Sequence, residues 1–87
     1  MDNTEITVYG TNWCLDSRRA RRFLDAHQIK YIWINIDQDI QAEQFVLELN
    51  KGMRSVPTII FPDGSSLVEP STKTLEEKFI TLTNQTS

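Results

Sequence analysis

Cys14 is the single cysteine of an 87-residue chain, and the lone histidine, His27, is its only companion as a soft metal ligand. No internal disulfide can close, and a self-contained zinc site lacks its ligands. What remains is the chemistry of one thiol. A lone cysteine is by default a small buried hydrophobe, so its position has to argue for anything more. Cys14 falls between a run with strand character and a run with helix character, where backbone N–H groups lack partners and the positive end of the helix dipole points outward. Thiols placed this way ionise more readily than free cysteine, and the thiolate is the nucleophile. Arg18, Arg21 and Arg22 follow within two turns and favour a charged sulfur, whereas Asp16 opposes it. The same arginines also read as a solvated face, since they lie opposite Phe23 and Leu24 and Asp25 can pair with Arg21.

The flanking elements follow from periodicity. Glu5 to Tyr9 alternates apolar with polar and ends at Gly10, which predicts a strand. Leu15 to Gln28 has no Gly, Pro or β-branched residue, and Ala20, Phe23, Leu24 and His27 fall on one helical face. Tyr31 to Ile36 predicts a second strand, with Ile32, Ile34 and Ile36 on one side and Tyr31, Trp33 and Asn35 on the other. Ala42, Phe45, Val46 and Leu49 predict a helix over Ile40 to Asn50, stopped by Lys51-Gly52. Thr58 to Phe61, the turn Pro62-Asp63-Gly64 and Ser66 to Glu69 predict an antiparallel hairpin. Beyond Pro70, Leu75, Phe79 and Leu82 mark a third helix, with Ser71, Thr72 and Thr74 as candidate caps and Thr74 and Glu77 spaced as a capping box. The tail from Thr83 to Ser87 is polar and expected to fray. Strand, helix, strand in this order implies a parallel pair with a right-handed crossover, to which the hairpin adds antiparallel strands.

Length allows one compact domain. Twelve acidic against nine basic residues leave a net charge of −3, which favours neither nucleic acid nor an anionic membrane as a general partner. No apolar run approaches a bilayer span, and the opening Met1-Asp2-Asn3-Thr4 lacks the order of a secretion signal. The expectation is a soluble, cytoplasmic monomer.

Tyr9-Gly10-Thr11-Asn12-Trp13-Cys14-Leu15-Asp16-Ser17, then Ser55-Val56-Pro57-Thr58, Asp63-Gly64-Ser65 and Glu69-Pro70-Ser71 together resemble the glutaredoxin family, and within it the mycoredoxin-like branch. The resemblance runs from about Ile6 to Leu82. It implies an α/β, thioredoxin-like fold: a four-stranded mixed sheet in the order 2-1-3-4 flanked by three helices. It further implies Cys14 as the attacking thiolate and Pro57 as a cis proline facing it, with the backbone of Val56 free to pair with a thiol-bearing peptide as an added strand. On composition alone an ordinary trans proline opening a strand would be preferred; Cys14 upstream shifts the expectation to cis.

Two departures from the family pattern shape the chemistry. Ser17 stands where many members have a resolving cysteine, so the chain resembles the monothiol members and release must come from an outside thiol. Ser17 can hydrogen-bond the sulfur but cannot replace it. Thr11 stands where glutathione users have a lysine, and Val68 to Thr72 where they have Gly-Gly followed by Asp. Glutathione or another low-molecular-weight thiol is the expected co-substrate, with contacts at Thr11, Val56, Pro57, Ser71 and Thr72. The N–H groups opening the last helix suit a carboxylate. Some monothiol members bridge a [2Fe-2S] cluster through a Cys-Gly-Phe-Ser motif; Leu15-Asp16 replaces that Gly-Phe pair, so cluster binding is the lesser expectation and no resident metal is expected. Trp13 beside Cys14 matches the family's usual aromatic, Trp33 reads as core and His27 as a capping or packing residue. The resemblance thus implies a thiol-disulfide oxidoreductase acting on disulfide-bearing client proteins. The alternative is a non-catalytic module that binds a thiol peptide or a cluster.

Overall fold

The computed structural model describes residues 5–85, with side chains as far as residue 80. The readings made on Met1 to Thr4, on the last two residues and on the Leu82 side chain lie outside the described residues. The elements are β1 (Ile6–Gly10), α1 (Leu15–Ala26), β2 (Tyr31–Asn35), α2 (Ile40–Leu49), β3 (Thr58–Ile60), β4 (Ser66–Val68) and α3 (Thr72–Gln85). They form one sheet in the order β2-β1-β3-β4, in which β1 and β2 run parallel and the other neighbours antiparallel. This is the thioredoxin-like arrangement that the resemblance implied.

Element ends are set by backbone chemistry that periodicity does not register. α1 stops before the expected Gln28 because Gln28 turns to a φ of 57° while Ile29 N–H donates to Leu24 O at 2.9 Å and Gln28 N–H to Asp25 O at 3.1 Å, the paired bonds of a Schellman stop. α2 closes the same way: Lys51 takes the positive φ and Gly52 N–H reaches Leu47 O at 2.6 Å. α3 begins at Thr72 with Ser71 as its cap, whose Oγ accepts from Thr74 N–H at 3.1 Å. Thr74 is therefore inside the helix and not the cap of a box with Glu77. The helix also continues through Gln85, past the point at which the polar tail was expected to fray.

The sheet divides the apolar residues between two faces. On one, Ile6, Val8, Ile59, Phe61 and the half-buried Tyr31, Trp33 and Leu67 pack against Ala20, Phe23 and Leu24 of α1 and Leu75 and Phe79 of α3. On the other, Ile36, Val56 and the half-buried Tyr9, Ile34 and Cys14 pack with Ala42 and Val46, the buried apolar residues of α2. Phe45 and Leu49, expected on the inner face of α2, are 40% and 41% exposed. Phe45 instead meets the Tyr9 ring, centroids 5.1 Å apart, at the helix edge. Ile32 is also exposed, on the edge strand β2.

Gly10 belongs to β1 rather than breaking it. A Cβ there would stand 2.6 Å from Ser17 Oγ and 2.9 Å from the Trp33 ring, so the first turn of α1 can lie against the strand only because residue 10 has no side chain.

Candidate active site

Cys14 is the N-cap of α1, in extended conformation with φ −81° and ψ 123°, and its carbonyl accepts the first helical bond from Arg18 N–H at 3.1 Å. No side chain caps the helix at this residue. The part-exposed sulfur therefore sits at the open end of α1, where the first-turn amides have no intrahelical partner.

Across from it, Cys14 Sγ lies 3.8 Å from Val56 O, a distance at which the thiol donates to that carbonyl. The Val56–Pro57 peptide is cis. Three contacts hold this loop: Thr58 Oγ1 donates to Ser55 O at 2.8 Å, Asn50 Nδ2 donates to Thr58 Oγ1 at 3.2 Å, and Glu69 N–H donates to Pro57 O at 2.8 Å. The last brings the segment leading to Ser71 and Thr72 beside the proline loop. Both residues are exposed, although the Ser71 hydroxyl is engaged in capping α3.

Two expected side-chain roles are corrected by burial. Thr11 is fully buried and its Oγ1 has no partner, so its side chain offers nothing to a small thiol at the surface. Ser17 is equally buried, beneath Gly10 and Trp33, and its Oγ faces Thr11 N–H at 3.5 Å, while the hydrogen bond of the sulfur goes to Val56. A third expectation fails on α1: Arg21 does not pair with Asp25 but lies over the Trp33 ring, 4.1 Å from its centroid. His27 behaves as expected, closing α1 with Nδ1 2.9 Å from Phe23 O and its ring 4.2 Å from that of Phe23.

Trp13 stands 66% exposed beside the sulfur and is tethered at its nitrogen: Nε1 donates to Asp37 Oδ2 at 2.8 Å. Asp37 in turn binds the Arg54 guanidinium, whose Nε donates to Glu43 Oε2 at 2.6 Å. Hydrogen bonds from Arg54 and then from Trp13 hold the Asp37 carboxyl below the usual carboxylate range, and the bonds to Glu43 and Asp37 raise Arg54. Nearby, burial and then the charge of Asp39 push the Tyr9 phenol up. This chain of groups links the Cys14 loop, the β2–α2 loop, α2 and the loop before Pro57. Sequence reasoning missed Asp37, Glu43 and Arg54, which share no local period; the one available signal was an arginine immediately before Ser55-Val56-Pro57.

A cysteine capping the first helix of a β2-β1-β3-β4 sheet, opposite a cis proline, defines a thioredoxin-like protein. Solved structures agree: the thioredoxin-like protein BC3987 superposes with a TM-score of 0.73 at 22% identity over 84% of this chain and 97% of its own, and a glutaredoxin from Archaeoglobus fulgidus with 0.68 at 22% over 85% and 84%. Residues 6–66 match the Glutaredoxin family model, and the chain belongs to that family. It is 36% identical to the Mycobacterium tuberculosis protein described as "Putative glutaredoxin Rv3198A" over 92% of this chain and 95% of that one. It is also 36% identical to Mycoredoxin 1 of Corynebacterium glutamicum over 77% and 82% respectively, consistent with a mycoredoxin-like glutaredoxin. A glutaredoxin-like protein NrdH from Lactococcus lactis matches at 33% over 67% and 78%.

Proposed function

We propose that the chain is a thiol-disulfide oxidoreductase that reduces mixed disulfides between client proteins and a low-molecular-weight thiol, using Cys14 alone. The Cys14 thiolate attacks the small-thiol sulfur of the mixed disulfide. The old S–S bond breaks, and the client sulfur leaves as thiolate and takes a proton from solvent. Cys14 is then disulfide-linked to the small thiol. A second small-thiol molecule, as thiolate, attacks that sulfur, forms the small-molecule disulfide and returns Cys14 as thiolate. The net reaction consumes one free small thiol per mixed disulfide: its thiolate supplies the electron pair of the new S–S bond, each broken S–S bond leaves its pair on the departing sulfur, and no second protein cysteine is needed.

The carrying observation is the sulfur at the N-cap of α1, 3.8 Å from the carbonyl that precedes Pro57. In this reading the helix start from Leu15 to Ser17 stabilises the sulfur's charge, and the backbone of Val56 aligns the substrate strand. Pro57 shapes the groove, Trp13 covers one side of the bound thiol, and Ser71 and Thr72 offer main-chain N–H groups to its carboxylate. Ser17 supports the helix start from beneath and does no chemistry. Glutathione or a related small thiol fills the co-substrate role, and the protein acts as a monomer inside the cell. Among the described residues no helix is long and apolar enough to cross a membrane. Nor is there a group of three or more His, Cys, Asp and Glu side chains to share a metal ion, so a bridged cluster would draw its other ligands from a second copy and outside thiols.

The test is turnover of a peptide–glutathione mixed disulfide, and of the corresponding disulfides of other small thiols, by the wild type and by Cys14→Ser. Turnover with at least one small thiol, lost in the variant, is expected. Absence of turnover with every thiol would refute the enzymatic reading, and a brown protein with visible absorption would redirect it to cluster binding.

A further inference from the structure

The exposed face of α1 carries a charge pattern that neither the fold nor the thiol chemistry requires. Leu15, Arg18, Arg19 and Arg22 recur at offsets of zero, three, four and seven and are all exposed. They form one stripe that starts beside Cys14 and runs for about 10 Å along the helix. Two shallow clefts of about 250 and 240 Å³ lie along it, the first lined by Leu15, Arg18, Arg19 and Arg22, the second by Arg18, Arg21, Arg22 and Asp25. The arginines are unequally committed. Arg19 pairs with Asp16 at 3.2 Å and Arg21 is engaged by Trp33, whereas among the described residues Arg18 and Arg22 have no ion-pair partner.

Helix energetics argue against this arrangement as mere stabilisation. Cations are favoured near a helix C-terminus, yet the last turn of α1 has none, and Arg18 and Arg19 stand near its positive end. Arg18 and Arg22 face each other at a four-residue spacing, where like charges repel. The stripe is also local, since the whole chain carries a net charge of −3. Two guanidinium groups one helical turn apart with no acid partner, Arg18 and Arg22, are suited to carboxylates, which they bind through paired N–H donors.

We propose that this face of α1 is the docking surface for an acidic segment of the client protein, and that it selects clients whose disulfide cysteine is followed or preceded by Asp and Glu. The proposal rests on the oxidoreductase reading above. An extended chain covers about 3.3 Å per residue, so acids within three or four positions of the reacting cysteine reach Arg18 and Arg22 while Leu15 meets the apolar part of the intervening backbone. Contact of this kind acts on capture and orientation of the client more than on the exchange step.

Two measurements test it. In the first, glutathione mixed disulfides of two peptides, one with Asp and Glu and one with Lys around the cysteine, are compared as substrates of the wild type and of Arg22→Glu and Arg18→Gln/Arg22→Gln. The wild type is expected to favour the acidic peptide in kcat/KM by about three- to tenfold at low salt, with the preference shrinking toward unity at about 0.3 M salt. Arg22→Glu should reverse the preference between the two peptides, a ratio taken within one variant and so independent of any change in the sulfur's own reactivity, which alkylation by uncharged iodoacetamide measures separately. Turnover without peptide preference, or a preference unchanged in both variants, overturns the docking surface and leaves the enzymatic reading standing. In the second, the Cys14→Ser protein is titrated with a fluorescent Asp/Glu peptide and with a single-stranded oligonucleotide of equal charge. Binding of the peptide in preference to the oligonucleotide supports the proposal even if turnover fails. Equal or tighter binding of the oligonucleotide overturns it in favour of a general polyanion surface.

Discussion

The two faces of the sheet are built to different standards. Among the described residues the face under α1 and α3 buries eight apolar side chains in one cluster, while the face under α2 buries four and leaves Phe45, Leu49 and Ile32 in partial contact with water. Cys14 and Val56 belong to the thinner side. On that side the surface links are polar: Trp13 to Asp37, Asp37 to Arg54, Arg54 to Glu43. On the function proposed above, the groove has to admit a peptide strand and a small thiol, which walls sealed by interlocking hydrophobes would not allow. The thick side supplies the cooperativity that a chain this short needs, and the thin side supplies access.

The contrast predicts an unequal response to truncation. Phe61→Ala on the thick side, where the ring meets Phe79 at 5.8 Å, should cost about 3–5 kcal/mol in urea unfolding. Val46→Ala on the thin side should cost about 1–2 kcal/mol, mainly the transfer of the lost methyls. Equal losses would mean that α2 is as much part of the cooperative core as α1 and α3. Gly10→Ala falls between these two in size and acts where α1 lies against β1. Its Cβ would press on both Ser17 and Trp33, and we expect about 1–3 kcal/mol of destabilisation, with a perturbed Trp33 fluorescence spectrum. Unchanged stability would show that the first turn of α1 can slide away from β1 freely.

How much of this was legible in the sequence follows the same division. The thick side could be read because Val8, Phe23, Leu24, Ile59 and Leu75 repeat at the strand or helix period of their own elements. Cys14 could be placed at a helix start because the pattern changes period there. Periodicity failed at Phe45 and Leu49, whose spacing is helical but whose helix lies over too little sheet to bury them. It also failed wherever the contact is made between elements. Trp13 and Asp37 are 24 residues apart, and Asp37 and Arg54 are 17, so nothing local marks them as partners. Burial of Thr11 and Ser17 was invisible for a related reason: Ser17 is covered where α1 lies against Gly10 and Trp33, and Thr11 N–H faces Ser17 Oγ, contacts that arise only once α1 packs on the sheet. The arginines of α1 were recognised as an exposed face, but the diversion of Arg21 to Trp33 depended on that strand pairing as well.

A smaller effect probes how α2 is held. Asp39 caps it, with Oδ1 accepting from Ala42 N–H at 3.0 Å. Asp39→Ala should lower stability by about 0.5–2 kcal/mol. Because α2 carries Val46 and Glu43, the same change should loosen the Arg54 side of the groove and broaden its amide resonances. A variant as stable as the wild type, with sharp resonances, would show that packing alone positions the helix.

The smallest expected effect is the most specific to the groove. Asp37 is exposed, and its carboxyl is held below the ordinary value of 3.8 first by Arg54 and then by the Trp13 N–H. A depressed folded-state pKa means that the carboxylate stabilises the native arrangement at pH values above the unfolded pKa. That contribution is lost as pH falls through the lower, folded value. The Trp13 indole N–H resonance should therefore stay constant through neutral and mildly acidic pH and shift only below 3.8. Asp37→Asn should abolish the transition while leaving the Trp33 resonance in place, and Arg54→Gln should move its midpoint up toward the ordinary carboxylate value. A Trp13 resonance indifferent to both substitutions would show that the indole is positioned by the backbone of its own loop, and that the thin side of the molecule needs no polar network to keep its groove in shape.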